Sequence, residues 1–327
     1  MIEDRYNRVI DYVRLAVTDR CNLRCTYCMP EHFNDFLSKS ALLSYEELLR
    51  LMQLLSNLGV RKLRITGGEP FVRRNLMEFI EQIAEQHLFE QIHITTNGVL
   101  TAPLIPRLKA AGISGVNLSL DTLNRERFFQ ITKRDQLPEV LQTLDQLVAH
   151  DIPTRINMVV MPNVNTDDIL SMAELTQDRP IEMRFIEEMP FNGSGSTPTL
   201  TWNYQRILQE LSTKFDLTPE SYERNGTAMR YSINGHQGKV GIIAAYSRTF
   251  CGTCNRLRIS PKGELQTCLY GRSTHSVFDA LRSNASDDAV RDTILQAVHL
   301  KPADGFAAEQ EMIAHEHMHR SMNTIGG

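Results

Sequence analysis

Between residues 11 and 187 the chain alternates short apolar runs with longer amphipathic segments, and this alternation limits the possible folds more than any other feature. Six runs have the length and composition of strands: 12–17, 62–66, 91–95, 115–120, 154–160 and 181–186. The helical segments between them include 45–57 and 76–86, and Ser44 with Glu47 has the spacing of a capping box. Strands that alternate with helices form parallel sheets with right-handed crossovers. The pattern predicts an α/β fold, specifically a partial (incomplete) TIM-type (β/α)6 barrel, with the active site at the C-terminal ends of its strands.

Beyond Met189 the pattern changes, which predicts a second region. Residues 190–201 are rich in Gly, Ser, Thr and Pro and indicate a loop or linker. We predict a helix over 202–212 and then two hairpins, 229–233 with 239–246 and 256–260 with 264–268. A length of 327 residues suits about two domains. We therefore expect a partial barrel over residues 1–190 and a C-terminal α+β extension over 191–327 that closes the open side of the barrel.

The composition excludes several classes of protein. Thirty-five basic and 39 acidic residues give a net charge of −4, which argues against a dedicated nucleic-acid binder. The longest apolar run, near residues 240–246, is far shorter than the ~18 residues of a membrane span. The N-terminal residues do not have the pattern of a signal peptide. We expect a cytoplasmic protein, a monomer or homodimer, that binds neither nucleic acid nor membrane.

All six cysteines fall into two groups, the first triplet (Cys21, Cys25, Cys28) and the second triplet (Cys251, Cys254, Cys268). Disulfide frameworks are typical of short secreted chains, so this clustering indicates metal binding. Three thiolates directly after a strand suit a [4Fe–4S] cluster with one iron left open to another ligand. A structural zinc ion is the alternative, completed by His32 at the first triplet or by His275 at the second. A purely structural cluster is a further alternative at the second triplet.

A glycine-rich turn, Thr66-Gly67-Gly68-Glu69-Pro70, follows the second predicted strand. Glycine lets the backbone approach a ligand closely, and the Glu69 carboxylate is able to accept hydrogen bonds from an ammonium group. An ordinary connection between a strand and a helix is the alternative.

Arginines recur on or beside the predicted strands at positions 14, 64, 155 and 184. Arg256 and Arg258 are two residues apart on one strand, so both point to one face while Leu257 points away. Buried arginine is costly unless it is paired, and an anionic substrate such as a polyphosphate would pair it. Solvated arginines are the alternative.

Several segments together resemble the MoaA family, the GTP 3′,8-cyclases of the radical S-adenosylmethionine superfamily. They are the first triplet with Tyr27 before its third cysteine, the Gly67-Gly68-Glu69 turn, and residues 12–21, 95–98, 117–121, 184–189 and 250–258. The chain also ends in Gly326-Gly327, as that family does. The resemblance covers nearly the whole length, and the pairing of both triplets with Asn255-Arg256-Leu257-Arg258 is its most specific part.

This resemblance implies a lyase that converts GTP to (8S)-3′,8-cyclo-7,8-dihydroguanosine 5′-triphosphate, an early step of molybdenum cofactor (molybdopterin) biosynthesis. S-adenosylmethionine would be reductively cleaved to methionine and 5′-deoxyadenosine, with hydrogen abstracted from C3′ of GTP. The implied cofactors are two [4Fe–4S] clusters and S-adenosylmethionine. The implied partners are a reduced electron donor protein and a downstream cyclic pyranopterin monophosphate synthase.

The resemblance also implies roles for individual residues. The first triplet, Cys21, Cys25 and Cys28, would hold the cluster that binds S-adenosylmethionine, and Cys251, Cys254 and Cys268 would hold the second cluster. The implied S-adenosylmethionine contacts are Tyr27, Gly68, Glu69, Ser119 and Met189. The implied GTP contacts are Arg14, Arg64, Thr95, Arg155, Arg256, Leu257 and Arg258. No catalytic side chain is implied beyond the cluster ligands.

The chain departs from the family pattern at a few positions. Arg155 stands where the family usually has lysine, so a planar fork replaces a point charge. Ala16 replaces a common serine, and Gly305 stands near a position where many relatives have histidine. Two other functions remain as alternatives: a radical S-adenosylmethionine enzyme that modifies peptides, and a non-enzymatic zinc-binding or nucleic-acid-binding protein. The first usually carries more cysteines in its C-terminal region, and the balanced charge weakens the second.

Overall fold

A computed structural model describes residues 1–29, 32–189, 200–221, 225–313 and 321–322. In this part of the chain twelve strands form one sheet. They are β1 (Tyr12–Ala16), β2 (Lys62–Thr66), β3 (Gln91–Thr96), β4 (Gly115–Ser119), β5 (Thr154–Val160), β6 (Glu182–Glu187), β7 (Leu217–Pro219), β8 (Met229–Ile233), β9 (Lys239–Ile243), β10 (Arg256–Ile259), β11 (Glu264–Gln266) and β12 (His275–Ser276). Their order across the sheet is β12-β11-β10-β1-β2-β3-β4-β5-β6-β9-β8-β7.

Helices connect and flank these strands. The α-helices are α1 (Tyr45–Asn57), α2 (Leu76–Glu85), α3 (Ile105–Ala110), α4 (Arg125–Thr132), α5 (Leu137–Ala149), α6 (Ile169–Glu174), α7 (Tyr204–Ser212), α8 (Phe278–Arg282), α9 (Asp287–His299) and α10 (Gly305–Ile313). The predicted capping box is present at α1, where Ser44 Oγ accepts from Glu47 N and the Glu47 carboxylate accepts from Ser44 N. These bonds satisfy backbone N–H groups that have no partner within the helix.

The six predicted strands are confirmed as β1 to β6, with ends that differ by a residue or less. They lie in chain order and all pair in parallel, with Arg14 opposite Arg64 between β1 and β2. The crossovers run through helices, as parallel pairing requires. The chain is therefore an α/β protein, as predicted.

The C-terminal strands continue the same sheet on both of its edges. The predicted hairpins are present as the antiparallel pairs β8–β9 and β10–β11. In addition, β9 pairs in parallel with β6, and β10 pairs in parallel with β1. The sequence did not predict β7 and β12, which have only three and two residues. The predicted linker before residue 200 and the final double glycine lie outside the described residues.

Successive residues of β1 and β2 point to opposite faces of the sheet, as the pleat requires. Val13 and Leu15 are fully buried in an apolar core that includes Leu48 and Leu51 of α1. Polar side chains alternate with them and point to the inner face. Within the described residues, no helix combines the length and the hydropathy needed to cross a membrane.

Candidate active site

A cavity of about 620 Å³ lies on the inner face of the sheet, and all six cysteines line it. The sheet topology explains this meeting. The first triplet follows β1, and the second triplet flanks β10, which pairs directly with β1. Two cysteine groups that are far apart in sequence thus face one space.

Gly67 and Gly68 position the loop that carries the first triplet. The backbone N–H of Gly68 donates to Thr18 O at 2.8 Å, and that of Glu69 donates to Arg20 O at 2.8 Å. A Cβ atom at position 68 would overlap the backbone carbonyl of Arg20. The sequence predicted a close approach to a ligand at these glycines. The structure shows a close approach to the cysteine loop, although Gly67 and Gly68 also line the cavity.

The carboxylate of Glu69 has hydrogen-bond partners within the protein. Its side chain is fully buried, and its carboxylate accepts hydrogen bonds from Asn97 N at 2.7 Å and from Thr96 Oγ1 at 2.9 Å. Asn97 in turn donates through Nδ2 to Asn22 Oδ1 at 2.7 Å and to Cys21 Sγ at 3.6 Å. Burial raises the pKa of Glu69 to about 7. In the described structure Glu69 does not line the cavity; it holds the end of β3 against the cysteine loop.

The other predicted S-adenosylmethionine contacts, Tyr27, Gly68, Ser119 and Met189, all line the cavity. Tyr27 Oη donates to Asp121 Oδ2 at 2.9 Å, and Asp121 Oδ1 accepts from Val159 N at 2.9 Å. Burial raises the pKa of Asp121 to about 6 and also raises that of Tyr27. Asp121 therefore orients Tyr27, a role that the sequence did not indicate.

Cys254 differs from four of the other cysteines in its electrostatic surroundings. Burial raises the pKa of Cys21 and of Cys251 to about 11 each, and it also raises that of Cys25 and of Cys268. Burial acts in the same direction on Cys254, but Lys301 and Arg256 outweigh it and lower the pKa of this thiol to about 6. The ligand-competent thiolate is thus favoured at Cys254 by neighbouring positive charge.

Lys301 lies at the second triplet, and the sequence analysis did not identify it. Its side chain is buried, and Nζ donates to Arg256 O at 3.0 Å, to Thr267 O, and to Cys254 Sγ at 3.7 Å. It thereby joins the segment at Cys254 to the segment that precedes Cys268. A lysine two residues after a helix resembles an ordinary surface residue, so no sequence signal pointed to this position.

The zinc alternatives lack support in the structure. Among the described residues, no three His, Cys, Asp or Glu side chains converge closely enough to hold one metal ion. Tetrahedral zinc needs such convergence, because its ligands lie about 2.0–2.3 Å from the ion. His32 is exposed. A cluster distributes three thiolates over different iron atoms, so the donor set of each triplet fits a [4Fe–4S] group.

The cavity wall is strongly cationic. The lining residues that the structure describes include three carboxylates, Asp11, Glu90 and Asp304, against nine arginines and two lysines: Arg8, Arg14, Arg61, Lys62, Arg64, Arg155, Arg184, Arg230, Arg256, Arg258 and Lys301. Burial lowers the pKa of Arg64 and of Arg258 to about 9 each. The Nε atoms of Arg14, Arg64 and Arg256 are buried without a hydrogen-bond partner in the described structure. Such a wall suits a polyanionic ligand.

One buried carboxylate organises part of this wall. Glu182 accepts from Arg184 Nε at 2.7 Å, and Arg155 Nε lies 3.4 Å from its second oxygen. Burial raises the pKa of Glu182, but Arg184 and Arg155 lower it by a larger amount. The pKa of Glu182 is therefore below its ordinary value. Arg155 is thus held by a carboxylate that the sequence analysis did not identify.

Most predicted GTP contacts meet at this wall. Those that line the cavity are Arg14, Arg64, Thr95, Arg155, Arg256 and Arg258. Leu257 is the described exception: its side chain is fully buried in the apolar core. This follows from the predicted alternation along β10, which turns Leu257 away from its two neighbours.

The described part of the tail reaches the first triplet. Ser321 Oγ donates to Cys28 O at 2.6 Å, and Met322 N donates to the same oxygen at 3.0 Å. Met322 also lines the cavity.

Gly305 lies at the second triplet, where an added Cβ would sit 3.2 Å from Cys251 Sγ and 2.9 Å from Arg248 Cδ. Arg248 thus packs closely against Gly305.

Two family models match successive parts of the chain. The radical SAM superfamily model matches residues 15–176, and a molybdenum cofactor synthesis C-terminal model matches residues 181–306. The first match contains the first triplet, and the second match contains the second triplet.

Curated relatives match along nearly the full length. The GTP 3′,8-cyclase of Syntrophomonas wolfei is 39% identical over 99% of this chain and 99% of its own. That of Thermodesulfovibrio yellowstonii is 36% identical over 100% of both chains. The mitochondrial GTP 3′,8-cyclase of Arabidopsis thaliana is 38% identical over 93% of this chain and 78% of its own.

Solved structures share the fold at low sequence identity. SuiB of Streptococcus suis bound to S-adenosylmethionine has a TM-score of 0.60 at 14% identity, over 88% of this chain and 68% of that chain. SuiB bound to its precursor peptide SuiA has a TM-score of 0.63 at 14% identity, over 97% and 76%. The full-length relatives and the matching family models lead to one assignment: the chain belongs to the GTP 3′,8-cyclase family of the radical S-adenosylmethionine superfamily.

Proposed function

We propose that this protein is a GTP 3′,8-cyclase that converts GTP to (8S)-3′,8-cyclo-7,8-dihydroguanosine 5′-triphosphate in molybdenum cofactor biosynthesis. One observation carries the proposal: both cysteine triplets and the cationic wall face a single cavity. A peptide-modifying function fits this wall less well, because an excess of buried arginine and lysine suits a triphosphate better than a peptide.

The first triplet would hold a [4Fe–4S] cluster with S-adenosylmethionine on its open iron. When bound and reduced, this group supplies the electron that cleaves S-adenosylmethionine and so provides the species that abstracts hydrogen from C3′ of GTP. Tyr27, Gly68, Ser119 and Met189 would contact S-adenosylmethionine. Glu69 acts in this proposal as a positioning residue, since its carboxylate is already engaged by Thr96 and Asn97.

Cys251, Cys254 and Cys268 would hold a second [4Fe–4S] cluster at the other side of the cavity. Lys301 and Arg256 donate toward Cys254 Sγ and orient it. This placement supports a role for the second cluster in binding the guanine end of the substrate.

The arginines of the wall would bind the triphosphate. Arg14 and Arg64 lie opposite each other in the sheet, and Arg258 lies on the other side of Arg14. Preorganised cations of this kind fix the position of the substrate and neutralise its charge, which is the main contribution that a protein makes when a cofactor performs the chemistry. The contacts of Ser321 and Met322 at Cys28 support a role for the tail in excluding water.

The remaining sequence predictions form part of this proposal. The partial (β/α)6 barrel is supported by the parallel order β1 to β6 and by a cavity lined from both edges of that set. The division into residues 1–190 and 191–327 is supported by the two separate family matches. A reduced electron donor protein would supply electrons, and a cyclic pyranopterin monophosphate synthase would consume the product. The cytoplasmic location stays a prediction.

Transfer of deuterium from substrate to cofactor tests the reaction directly. The iron-reconstituted protein is incubated anaerobically with S-adenosylmethionine, a strong reductant and GTP deuterated at C3′. We expect mass spectrometry to find deuterium in 5′-deoxyadenosine, and none when GTP is deuterated at C5′ instead. Cleavage without transfer would point to another substrate, such as a peptide. Absence of cleavage in protein shown to hold both clusters would contradict the proposal.

A further inference from the structure

Tyr12 is a buried phenol that none of the roles above uses. It lies on β1 with its side chain on the inner face, lines the cavity, and is 7% exposed. Its hydroxyl is buried and has no hydrogen-bond partner among the described residues. A buried hydroxyl without a hydrogen-bond partner costs free energy of folding. The Tyr12 hydroxyl therefore points to a partner that binds in the cavity.

Positively charged side chains from three strands surround the phenol of Tyr12. Measured to the ring centroid, Lys62 Nζ lies at 5.2 Å, and the guanidinium carbons of Arg14, Arg64 and Arg256 lie at 5.7, 5.8 and 5.9 Å. Arg14 is on β1, Lys62 and Arg64 are on β2, and Arg256 is on β10, directly opposite Tyr12. Arg258, further along β10, also interacts electrostatically with the phenol. Burial raises the pKa of Tyr12, but the cations outweigh this effect and lower it from 10.0 to about 7.

We propose that Tyr12 is a further substrate-binding residue, whose hydroxyl bonds to the anionic substrate and takes up a proton from solvent when that substrate binds. In the empty cavity the phenolate balances part of the cationic wall. A polyanion brings its own negative charge, so two anions would compete for the same cations, and the phenolate is the one that can be neutralised. The protonated hydroxyl then serves as a hydrogen-bond donor to the bound anion. This inference rests on the proposed function only in naming GTP as that anion.

Linkage fixes the sign of the pH dependence. A group that binds a proton only in the complex makes binding weaker as the pH rises above the pKa in the free protein. We therefore expect GTP affinity to fall about tenfold per pH unit between about 8 and 9, where the terminal phosphate, with a second pKa of about 6, is already ionised. At pH about 8 each GTP bound should take up about one proton.

Calorimetry on the anaerobically reconstituted protein measures the affinity for GTP. Repeating it in buffers of different ionisation enthalpy gives the number of protons taken up for each GTP bound. Tyr12→Phe keeps the ring and removes the hydroxyl. It should bind GTP about tenfold more weakly at pH about 6.5, because a hydrogen bond to a charged group is lost. At pH about 9 it should bind at least as tightly as the unaltered protein. At pH about 8, below the pKa of about 9 of Arg64 and of Arg258, most of the proton uptake should be lost. Tyr45→Phe is the matched control, because Tyr45 Oη donates to Arg74 O on an exposed surface.

Two results would overturn the inference: GTP binding to the unaltered protein without proton uptake, or equal uptake by the unaltered protein and by Tyr12→Phe. The first needs no variant and decides the question even where Tyr12→Phe folds poorly. Failure of the proposed function gives a different result, namely no GTP binding at all. Inorganic tripolyphosphate then replaces GTP in the same titrations: proton uptake lost in Tyr12→Phe supports the inference, and its absence rejects it.

Discussion

A buried ammonium group is costly unless hydrogen bonds or negative charges replace its water. Lys301 meets this condition with two backbone carbonyls and the Sγ atom of Cys254. Two different effects on a cluster follow. The carbonyl bonds hold the segments that carry Cys254 and Cys268, and the positive charge stabilises whichever state of a bound cluster is more negative. Only the second effect depends on charge.

Replacing Lys301 tests both effects on the second cluster that we propose. Lys301→Met keeps most of the side-chain volume but removes the charge and the donors. Because the reduced cluster carries more negative charge, we expect its reduction potential to become more negative. We also expect part of the iron at the second triplet to be lost. Anaerobic redox titration followed by electron paramagnetic resonance, together with iron analysis, measures both.

Two further variants serve as comparisons for Lys301→Met. Lys301→Arg should restore the potential because it keeps the charge. Lys262→Met removes a half-exposed lysine that pairs with Glu264 and should leave the potential unchanged. An unchanged potential in Lys301→Met would show that the charge of Lys301 does not act on the cluster.

Sequence reasoning identified the residues whose type alone indicates their chemistry. Clustered cysteines indicate a metal, and arginines on strands indicate an anion. Glu69 shows the limit of such reasoning, because its place in a motif did not reveal that Thr96 and Asn97 occupy its carboxylate. Tyr12, Glu182 and Lys301 are ordinary residue types whose roles depend on neighbours from other strands. Those neighbours are set by tertiary structure, so local patterns do not identify them.

The observed bounds of the secondary-structure elements agree closely with the predicted bounds where an element is buried on one face or completely. The strands β2 and β5 have the predicted bounds because glycine or proline lies at or near their ends: Gly67 follows β2, and Pro153 and Pro162 flank β5. Helix α1 also has its predicted bounds, because the capping box fixes its first residue. The pairing of β9 with β6 and of β10 with β1 was not predicted. A hairpin pattern specifies the partner within the hairpin but not the strand that its outer edge will meet.

Contact between two loops is the element-scale feature on which the first triplet depends. Gly68 packs against the backbone of Arg20, and no side chain fits there without a shift of the cysteine loop. We expect Gly68→Ala to destabilise the protein by about 1–3 kcal/mol, as overpacking does, and to lower the iron content at the first triplet. Denaturant unfolding and iron analysis of the reconstituted protein measure the two effects.

Gly238→Ala is a matched control for this prediction. A Cβ there would overlap the backbone carbonyl of Ile181, at the start of β9 and away from both triplets. We expect a comparable loss of stability with normal iron content. If both variants lose iron equally, general destabilisation is the cause, and the proposed link between Gly68 and the cysteine loop is wrong.

At the scale of the whole molecule, the fold concentrates positive charge at the cavity wall, although the net charge of the chain is negative. The chain has a net charge of −4, yet the cavity wall carries a large excess of cations. The sheet causes this separation, because its inner face collects arginines from β1, β2, β5, β6 and β10. Mutual repulsion in the empty cavity destabilises the fold, and a bound polyanion relieves it. Stability and substrate affinity are therefore coupled through the same charges.

Glu182 is the side chain at which this coupling can be tested. It is 6% exposed and bonds to Arg184, with Arg155 close by. Glu182→Gln leaves two largely buried cations without their carboxylate, so we expect the ligand-free protein to lose about 3 kcal/mol of stability. The triphosphate of GTP then replaces the missing negative charge. GTP should therefore raise the unfolding temperature of Glu182→Gln by more than it raises that of the unaltered protein, as measured by anaerobic thermal unfolding with and without saturating GTP.

Glu81→Gln provides the reference for this measurement, because Glu81 pairs with Arg107 on the outer surface. Its unfolding temperature and its response to GTP should match those of the unaltered protein. An equal GTP response in Glu182→Gln would mean that the triphosphate does not reach Arg155 and Arg184. The arginines of β1, β2 and β10, namely Arg14, Arg64 and Arg258, would then carry the phosphate contacts, and Glu182 would serve only to pair two structural cations.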